Sequence, residues 1–169
     1  WIATITGPQR TSPGAARLAG YRDEMQRLGL EVRPEYVVEG DFYDESGYRA
    51  TQQLLDLTEP PTAVFAASDL MAAGALRAAS ELGVHVPEDL AVVGFDDIAI
   101  AGLIQPSLTT VRQEMHAIGE AAAEALSQMI DDPETRPVQR IIPTQLVVRS
   151  STVNGAPRER TLAGDKEVR

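Results

Sequence analysis

Residues 90–97 read LAVVGFDD. A continuously apolar run ending abruptly in two carboxylates is the pattern of a strand buried on both faces of a parallel sheet. Residues 62–67, TAVFAA, repeat the pattern upstream, closed by Ser68 and Asp69. Residues 1–6, WIATIT, form a further β-prone run that Gly7 and Pro8 stop, and residues 32–38 make another. Between these runs the apolar period changes from two to about 3.6.

Ser12 and Pro13 read as a helix entry, a capping hydroxyl followed by proline in the first turn. Ala15, Leu18, Tyr21, Met25 and Leu28 then share one face, and Gly29 ends it. A second helix starts at Asp44 or Ser46, carries Tyr48, Thr51, Leu54 and Leu55 on one side, and ends at Pro60 and Pro61. A third runs from the Ser68–Asp69 cap to Leu82, with Gly83 as its stop. A short turn of helix covers residues 98–104, and residues 108–111 are a brief strand. Met115, Ile118, Ala122, Ala125 and Met129 stripe a last helix that closes at Asp132 and Pro133. Residues 140–142 and 145–149 read as final strand pieces, and residues 153–169 as a polar tail without periodicity. Strand alternating with helix specifies an α/β fold: a doubly wound parallel sheet with right-handed crossovers and helices on both faces.

Composition limits what such a domain can do. The 169 residues suffice for one domain with a core, and 43% hydrophobic with 24% charged residues is ordinary globular usage. A net charge of −10 opposes a phosphate-binding surface, so contact with nucleic acid would need something this chain lacks. Cysteine is absent, which excludes disulfides, thiol nucleophiles and thiolate metal sites and fits a reducing cytoplasm. No apolar run is long enough to span a bilayer, and the sequence contains no basic-then-apolar signal-peptide pattern. The chain opens on a strand without an initiating methionine, so its start reads as a cut. The only lysine is Lys166 in the polar tail, which removes phosphate-loop, Schiff-base and lysine-base chemistry from the core of the domain. His85 and His116 have no second ligand at a metal-type spacing. Neither a nucleophile elbow nor a glycine-rich phosphate loop is present. The expectation is a binding module with no enzymatic activity, metal or cofactor.

In a doubly wound sheet, ligands sit beyond the carboxyl ends of the strands, and several polar residues fall there. Arg17, in the first helix, offers a rigid fork of donors suited to hydroxyls or a carboxylate, or else is a surface arginine over apolar neighbours. Asp96 can accept from vicinal hydroxyls or ring N–H groups, whereas Asp97 reads as the cap of the next turn. For Ser68 and Asp69, capping is the better single explanation, with ligand contact open to Ser68. Phe42 and Tyr43, after Gly40 and Asp41, can stack on a sugar or base, or close a core edge.

Five segments in order resemble the lactose/galactose-repressor family of bacterial transcription regulators. Gly7–Pro8 with residues 16–21, ARLAGY, is similar to the family's first strand–helix junction in the distal part of its effector domain. Residues 67–76, ASDLMAAGAL, resemble its next helix start, and residues 86–97, VPEDLAVVGFDD, its most recognisable stretch. Residues 106–113, PSLTTVRQ, and 146–152, LVVRSST, resemble its crossing and closing strands.

That resemblance, over residues 1 to about 152, implies a fold like the type I periplasmic sugar-binding proteins, two α/β subdomains with ligand held between them. Residues 1–110 would be the C-terminal subdomain and 111–141 a crossover segment belonging to the N-terminal one. Residues 142–152 would be the returning strand. The rest of the N-terminal subdomain and the DNA-binding headpiece are not in the sequence. Such a piece carries half a cleft and is expected to bind effector and operator weakly or not at all. By the resemblance, Arg17 and Asp96 match the ligand clamp, Phe42 the stacking aromatic and Ser68 a polar contact. Thr11 and Pro13 match loop positions that touch ligand. Proline at 13 lacks the hydroxyl that purine-sensing relatives use, which favours a sugar or sugar derivative as effector. Homodimerisation is implied through the helix between Leu70 and Leu82 and the apolar segment between Ile98 and Pro106. Operator DNA would be bound only through the headpiece, and the setting would be cytoplasmic. A periplasmic sugar-binding protein of the same fold is the alternative. A hydrolase or transferase fragment is a more distant one that lacks an assembled nucleophile and base.

Overall fold

A computed structural model describes residues 1–132 and 139–152. Six strands, β1 (Ile2–Thr6), β2 (Val37–Glu39), β3 (Ala63–Ala66), β4 (Ala91–Asp96), β5 (Thr109–Arg112) and β6 (Gln145–Val147), form one sheet in the order β2-β1-β3-β4-β5-β6. All neighbours are parallel except β6, which runs antiparallel to β5 with Val111 opposite Leu146. The doubly wound expectation is met, with one antiparallel edge added. Residues 140–142 are not a strand, although they were expected to be one; only Gln145–Val147 pairs. Residues 32–36 likewise stay outside β2, because Pro34 opens a single 3-10 turn, Pro34–Tyr36, ahead of it.

Strand order reverses after β1: the chain moves outward to β2, then returns past β1 to β3. A right-handed crossover can satisfy both directions only by using opposite faces of the sheet. Helix α1 (Ser12–Arg27) therefore lies on one face, burying Leu18, Tyr21 and Met25 against Ile2, Val37 and Phe65. Helices α2 (Asp44–Leu55) and α3 (Asp69–Glu81) lie on the other, over Ala3, Ile5, Val64, Ala66 and Val92. The α2–α3 contact is close because it is built on glycine. A Cβ on Gly47 would come within 2.0 Å of Met71 O, and one on Gly74 within 1.9 Å of Asp44 O.

The first helix is capped by Thr11 rather than Ser12: Thr11 Oγ1 accepts from Gly14 N at 3.2 Å, and Pro13 sits one place further into the helix. Helix α3 is capped by Ser68 as expected, through Met71 N at 3.2 Å. The sheet is closed by a second 3-10 turn, Ser150–Thr152. There buried Ser151 donates to Val92 O at 2.6 Å and accepts from Thr109 N at 2.8 Å.

One expectation fails on a whole face. β3 and β4 were read as buried on both sides. Val64, Ala66 and Val92 are buried, but Phe65, Val93 and Phe95, facing α1's side, are only partly covered. The reason is topological: β3 to β4 and β4 to β5 both run in the direction that places their connections on the α2–α3 face, so α1 alone serves the other. An open apolar groove of about 700 Å³ results, running along α1 past Tyr21, Met25 and Leu28, with Ile2, Phe65 and Phe95 among its walls. Helix α5 (Met115–Asp131) is also uncovered, with no buried residue, and Ile118 and Met129 are exposed on its apolar stripe. No helix among the described residues is long and apolar enough to cross a membrane. The closing residue Pro133 and the tail lie outside the described residues.

Gly74→Ala should lower stability by about 1–3 kcal/mol through overpacking at the α2–α3 crossing. Gly20→Ala, on α1 with nothing within 4 Å of the added Cβ, should raise it by about 0.5–1 kcal/mol through helix propensity. Urea unfolding of the two variants checks both signs.

Candidate functional site

The strand reversal leaves a crevice at the carboxyl ends of β1 and β3, the point where an open α/β sheet receives ligand. Arg17 reaches across it from the second turn of α1. Its Nη1 donates to Ala67 O, at the end of β3, and its Nη2 to Asp96 Oδ1 at 3.2 Å, at the end of β4. The guanidinium lies 3.9 Å from the centre of the Phe95 ring and 5.6 Å from that of Phe42. Its side chain is only 15% exposed, so the pair with Asp96 is a partly buried, aromatic-backed clamp and not a surface ion pair.

Both members of the pair are under-compensated. Burial lowers the Arg17 pKa, and the charge and hydrogen bond of Asp96 recover only part of the loss. Burial likewise raises the Asp96 carboxyl, against the opposing pull of Arg17 and a hydrogen bond from Gln113. Gln113 follows β5 directly, and its Nε2 donates to the same Asp96 Oδ1 at 2.7 Å. Two donors thus share one oxygen, and nothing among the described residues bonds Oδ2. A partly desolvated pair with a spare acceptor can take up a ligand hydroxyl or N–H.

Phe42 sits at φ 75 in the loop after β2, and its ring covers Gly7, where any Cβ would overlap it. Ser68 holds that loop. Its hydroxyl donates to Phe42 O at 2.9 Å while accepting from Met71 N, and the residue is buried. Ser68 therefore orients Phe42, with its proton committed to that bond. The Thr11 hydroxyl is similarly occupied, donating to Pro8 O at 2.7 Å and capping α1. Pro13 lines the groove beside Arg17. Arg17, Asp96 and Phe42 are brought together; Ser68 supports them, and Thr11 shapes the loop at the rim.

Two carboxylates are not the caps they were read as. Asp69 is fully buried and crosses the sheet, accepting from Ile98 N at 2.8 Å and from the Thr110 hydroxyl. Gly94 leaves room for it, since a Cβ there would lie 2.3 Å from Asp69 Oδ1. Burial raises its pKa, with the Thr110 and Ile98 bonds pulling the other way. Asp97 is 6% exposed and holds two arginines, Arg112 Nε at 2.6 Å and Arg149 Nη2 at 2.7 Å. Its burial would raise the carboxyl, but those two cations outweigh it and the pKa is lowered. Gln113, Arg112 and Arg149 were quoted only as parts of longer motifs. Their position on the crossing strands, beside the doublet at the end of β4, is the signal that could have singled them out. His85 and His116 pair with Asp89 and Glu120, one turn along in each case, and no group of His, Asp and Glu suited to a metal occurs among the described residues.

A reversed-order, mostly parallel sheet with helices on both faces and an arginine–aspartate pair at the carboxyl ends of its strands is a doubly wound α/β domain. Residues 1–152 match the sequence profile of the periplasmic binding protein-like domain, and the chain belongs to that family. It is 40% identical over 158 residues to the transcriptional repressor PurR of Escherichia fergusonii. It is 42% identical over 151 residues to the repressor CytR of Escherichia coli K12. These alignments cover 94% and 89% of the chain but 46% and 44% of the relatives, so the chain spans about half the length of the curated relatives it matches. Among solved structures, a complex of the transcriptional regulator CelR with cellobiose is 43% identical with a TM-score of 0.85, over 89% of this chain and 46% of that one. A lac repressor dimer bound to operator and an anti-inducer is 34% identical with a TM-score of 0.83, over 90% and 52%. The resemblance to lactose/galactose repressors is borne out, and the named relatives are regulators, not enzymes.

The depressed Asp97 pKa means its stabilisation is present above the ordinary aspartate value of 3.8 and is lost as pH falls through the lower folded value. Asp97→Asn should therefore be less stable than the parent by about 2–3 kcal/mol near neutrality. The gap should begin to narrow once pH falls below the ordinary aspartate value and keep narrowing toward the lower folded one. Urea midpoints of both proteins at pH 7 and pH 3 test this; a gap that persists unchanged in acid would contradict it.

Proposed function

We propose that this chain is the effector-sensing part of a bacterial transcriptional regulator, supplying one wall of a cleft that takes a sugar or a similar small polar molecule. The observation that carries the reading is the Arg17–Asp96 pair at the strand reversal, desolvated, backed by Phe95 and Phe42, and left with a free carboxylate oxygen. A sugar ring suits it: one hydroxyl can accept from Arg17 while a neighbour donates to Asp96, and an aromatic ring covers the apolar sugar face. Cellobiose in the CelR complex favours that class.

Residues 1–110 are read as one subdomain, 111–141 as a segment crossing to a second, and 142–152 as the strand that returns. The bare apolar stripe of α5 and the half-covered sheet face beside α1 support this division, since both need further chain to bury them. Leu82, Ile98 and Leu103 are exposed, the last at 78%, while Ala101 is buried. Exposed apolar side chains at the end of the helix between Leu70 and Leu82 and in the segment between Ile98 and Pro106 support homodimerisation through them. Operator binding belongs to a segment outside these residues, because a chain of net charge −10 repels the DNA backbone. The proposed setting is the cytoplasm, where the operator is.

Effector would act by population shift. Closing on both walls, it favours one subdomain orientation by its differential affinity for the two, and the orientation sets headpiece spacing. The test is thermal shift on the chain joined to its upstream half, screened with neutral sugars, sugar phosphates, polyols and nucleobases. A ligand at a hundredfold excess over its Kd should add about 2.7 kcal/mol of stability. The gain should vanish in Arg17→Ala and Asp96→Ala. A gain indifferent to both substitutions would overturn the clamp.

A further inference from the structure

The turn after β4 holds two consecutive non-glycine residues in left-handed backbone, Asp96 at φ 118 and Asp97 at φ 56. Each such residue is strained and persists only where its surroundings over-determine it. Here the surroundings are the crossing strands. Asp97 is held by Arg112 on β5 and by Arg149 just after β6, and Arg149 Nη1 also donates to Leu108 O at 2.8 Å. Ile98 N is held by Asp69, whose other oxygen takes Thr110 on β5. Asp96 itself is Cα-paired with Arg112 and takes Gln113 from the next residue along that strand. Three successive residues, 96, 97 and 98, are thus each fastened, directly or through Asp69, to the segments that lead out of the sheet.

We propose that Asp97 is a positioning residue: by clamping Arg112 and Arg149 it holds the strained turn that presents Asp96 to ligand, and so couples the clamp to the crossing strands. The proposal rests on the reading of Asp96 as the ligand-facing carboxylate. Any displacement of β5 and β6 relative to the sheet moves Arg112, Arg149 and Gln113 together, and Asp96 with them. Conversely, a ligand that fixes Asp96 fixes the exit angle of both strands. Asp97 touches no ligand in this scheme; its effect passes through the backbone it shares with Asp96.

The test needs no effector, so its failure is separable from failure of the ligand reading. In the 15N-labelled chain, the Gln113 side-chain amide, assigned by its loss in Gln113→Leu, should show proton shifts away from those of free glutamine and slowed solvent exchange. In Asp97→Asn the pair should move to free-glutamine positions and exchange at least tenfold faster, while backbone amides of β1, β3 and α1 to α3 stay in place. Asp97→Glu, which keeps the charge, should recover part of the wild-type shift. A folded Asp97→Asn that retains the Gln113 signature would overturn the proposal, because Asp97 would then only staple the strands. Should Asp97→Asn fail to fold, Arg112→Gln removes one half of the tether at a side chain 41% exposed. It is expected to give an intermediate shift, and no shift there would overturn the proposal equally.

Discussion

Reversal of strand order between β1 and β3 is the constraint on which the rest of this structure depends. Because crossovers are right-handed, moving outward to β2 and then back to β3 sends α1 to one face and α2 and α3 to the other. The loops after β1 and β3 then diverge and leave a crevice between them. A guanidinium entering from α1 finds the end of β3 and the end of β4 within reach, which is where Arg17 meets Ala67 O and Asp96. The same reversal concentrates helices on the α2–α3 face and leaves the other face of β3 and β4 half-covered. Clamp and bare face are two consequences of one topological choice.

What could be read from the sequence follows from this. Strands and helices were legible because their periods are local, and the doubly wound order follows from their alternation. Arg17, Asp96 and Phe42 could be named because strand ends can be located without knowing what packs where. The uncovered face could not be read, since Phe65 and Phe95 are as apolar as Val64 and Val92; which side of a strand has a partner depends on crossover direction, not on composition. Residues 140–142 failed as a strand for a similar reason. Arg140 and Ile142 instead lie against the middle of α5, near Ile118, Ala121, Ala122 and Ala125, with Arg140 paired to Glu124.

Carboxylates were misread in one direction. Asp69 opens α3 and Asp97 precedes the next helical turn, and helix-end capping is the simplest local explanation for an aspartate in either place. Each instead spans a long separation in sequence, Asp69 to Thr110 and Asp97 to Arg149. Nothing in a local window reveals such partners. Gly94 is the one residue that carries a trace of it, being small where a strand would prefer a branched side chain, and it is small because Asp69 occupies the space.

The carboxylates divide their work by environment. Asp97 has two cations and is held charged; Asp69 has neutral donors and is pushed toward its protonated form; Asp96 has one arginine that is itself desolvated, and is pushed the same way. Only Asp96 combines a raised pKa with an oxygen left free. Full compensation would make the clamp a rigid structural ion pair, like that of Asp97, with no free energy left for a ligand to gain. Complete absence of compensation would leave a buried charge costly enough to collapse the turn. The intermediate state, in which one oxygen is held by Arg17 and Gln113 and the other bonds none of the described residues, is what the proposed role in binding a polar ligand rests on. Because Gln113 arrives from the strand that leaves the sheet, a ligand bound to Asp96 as proposed would also bear on the path of that strand.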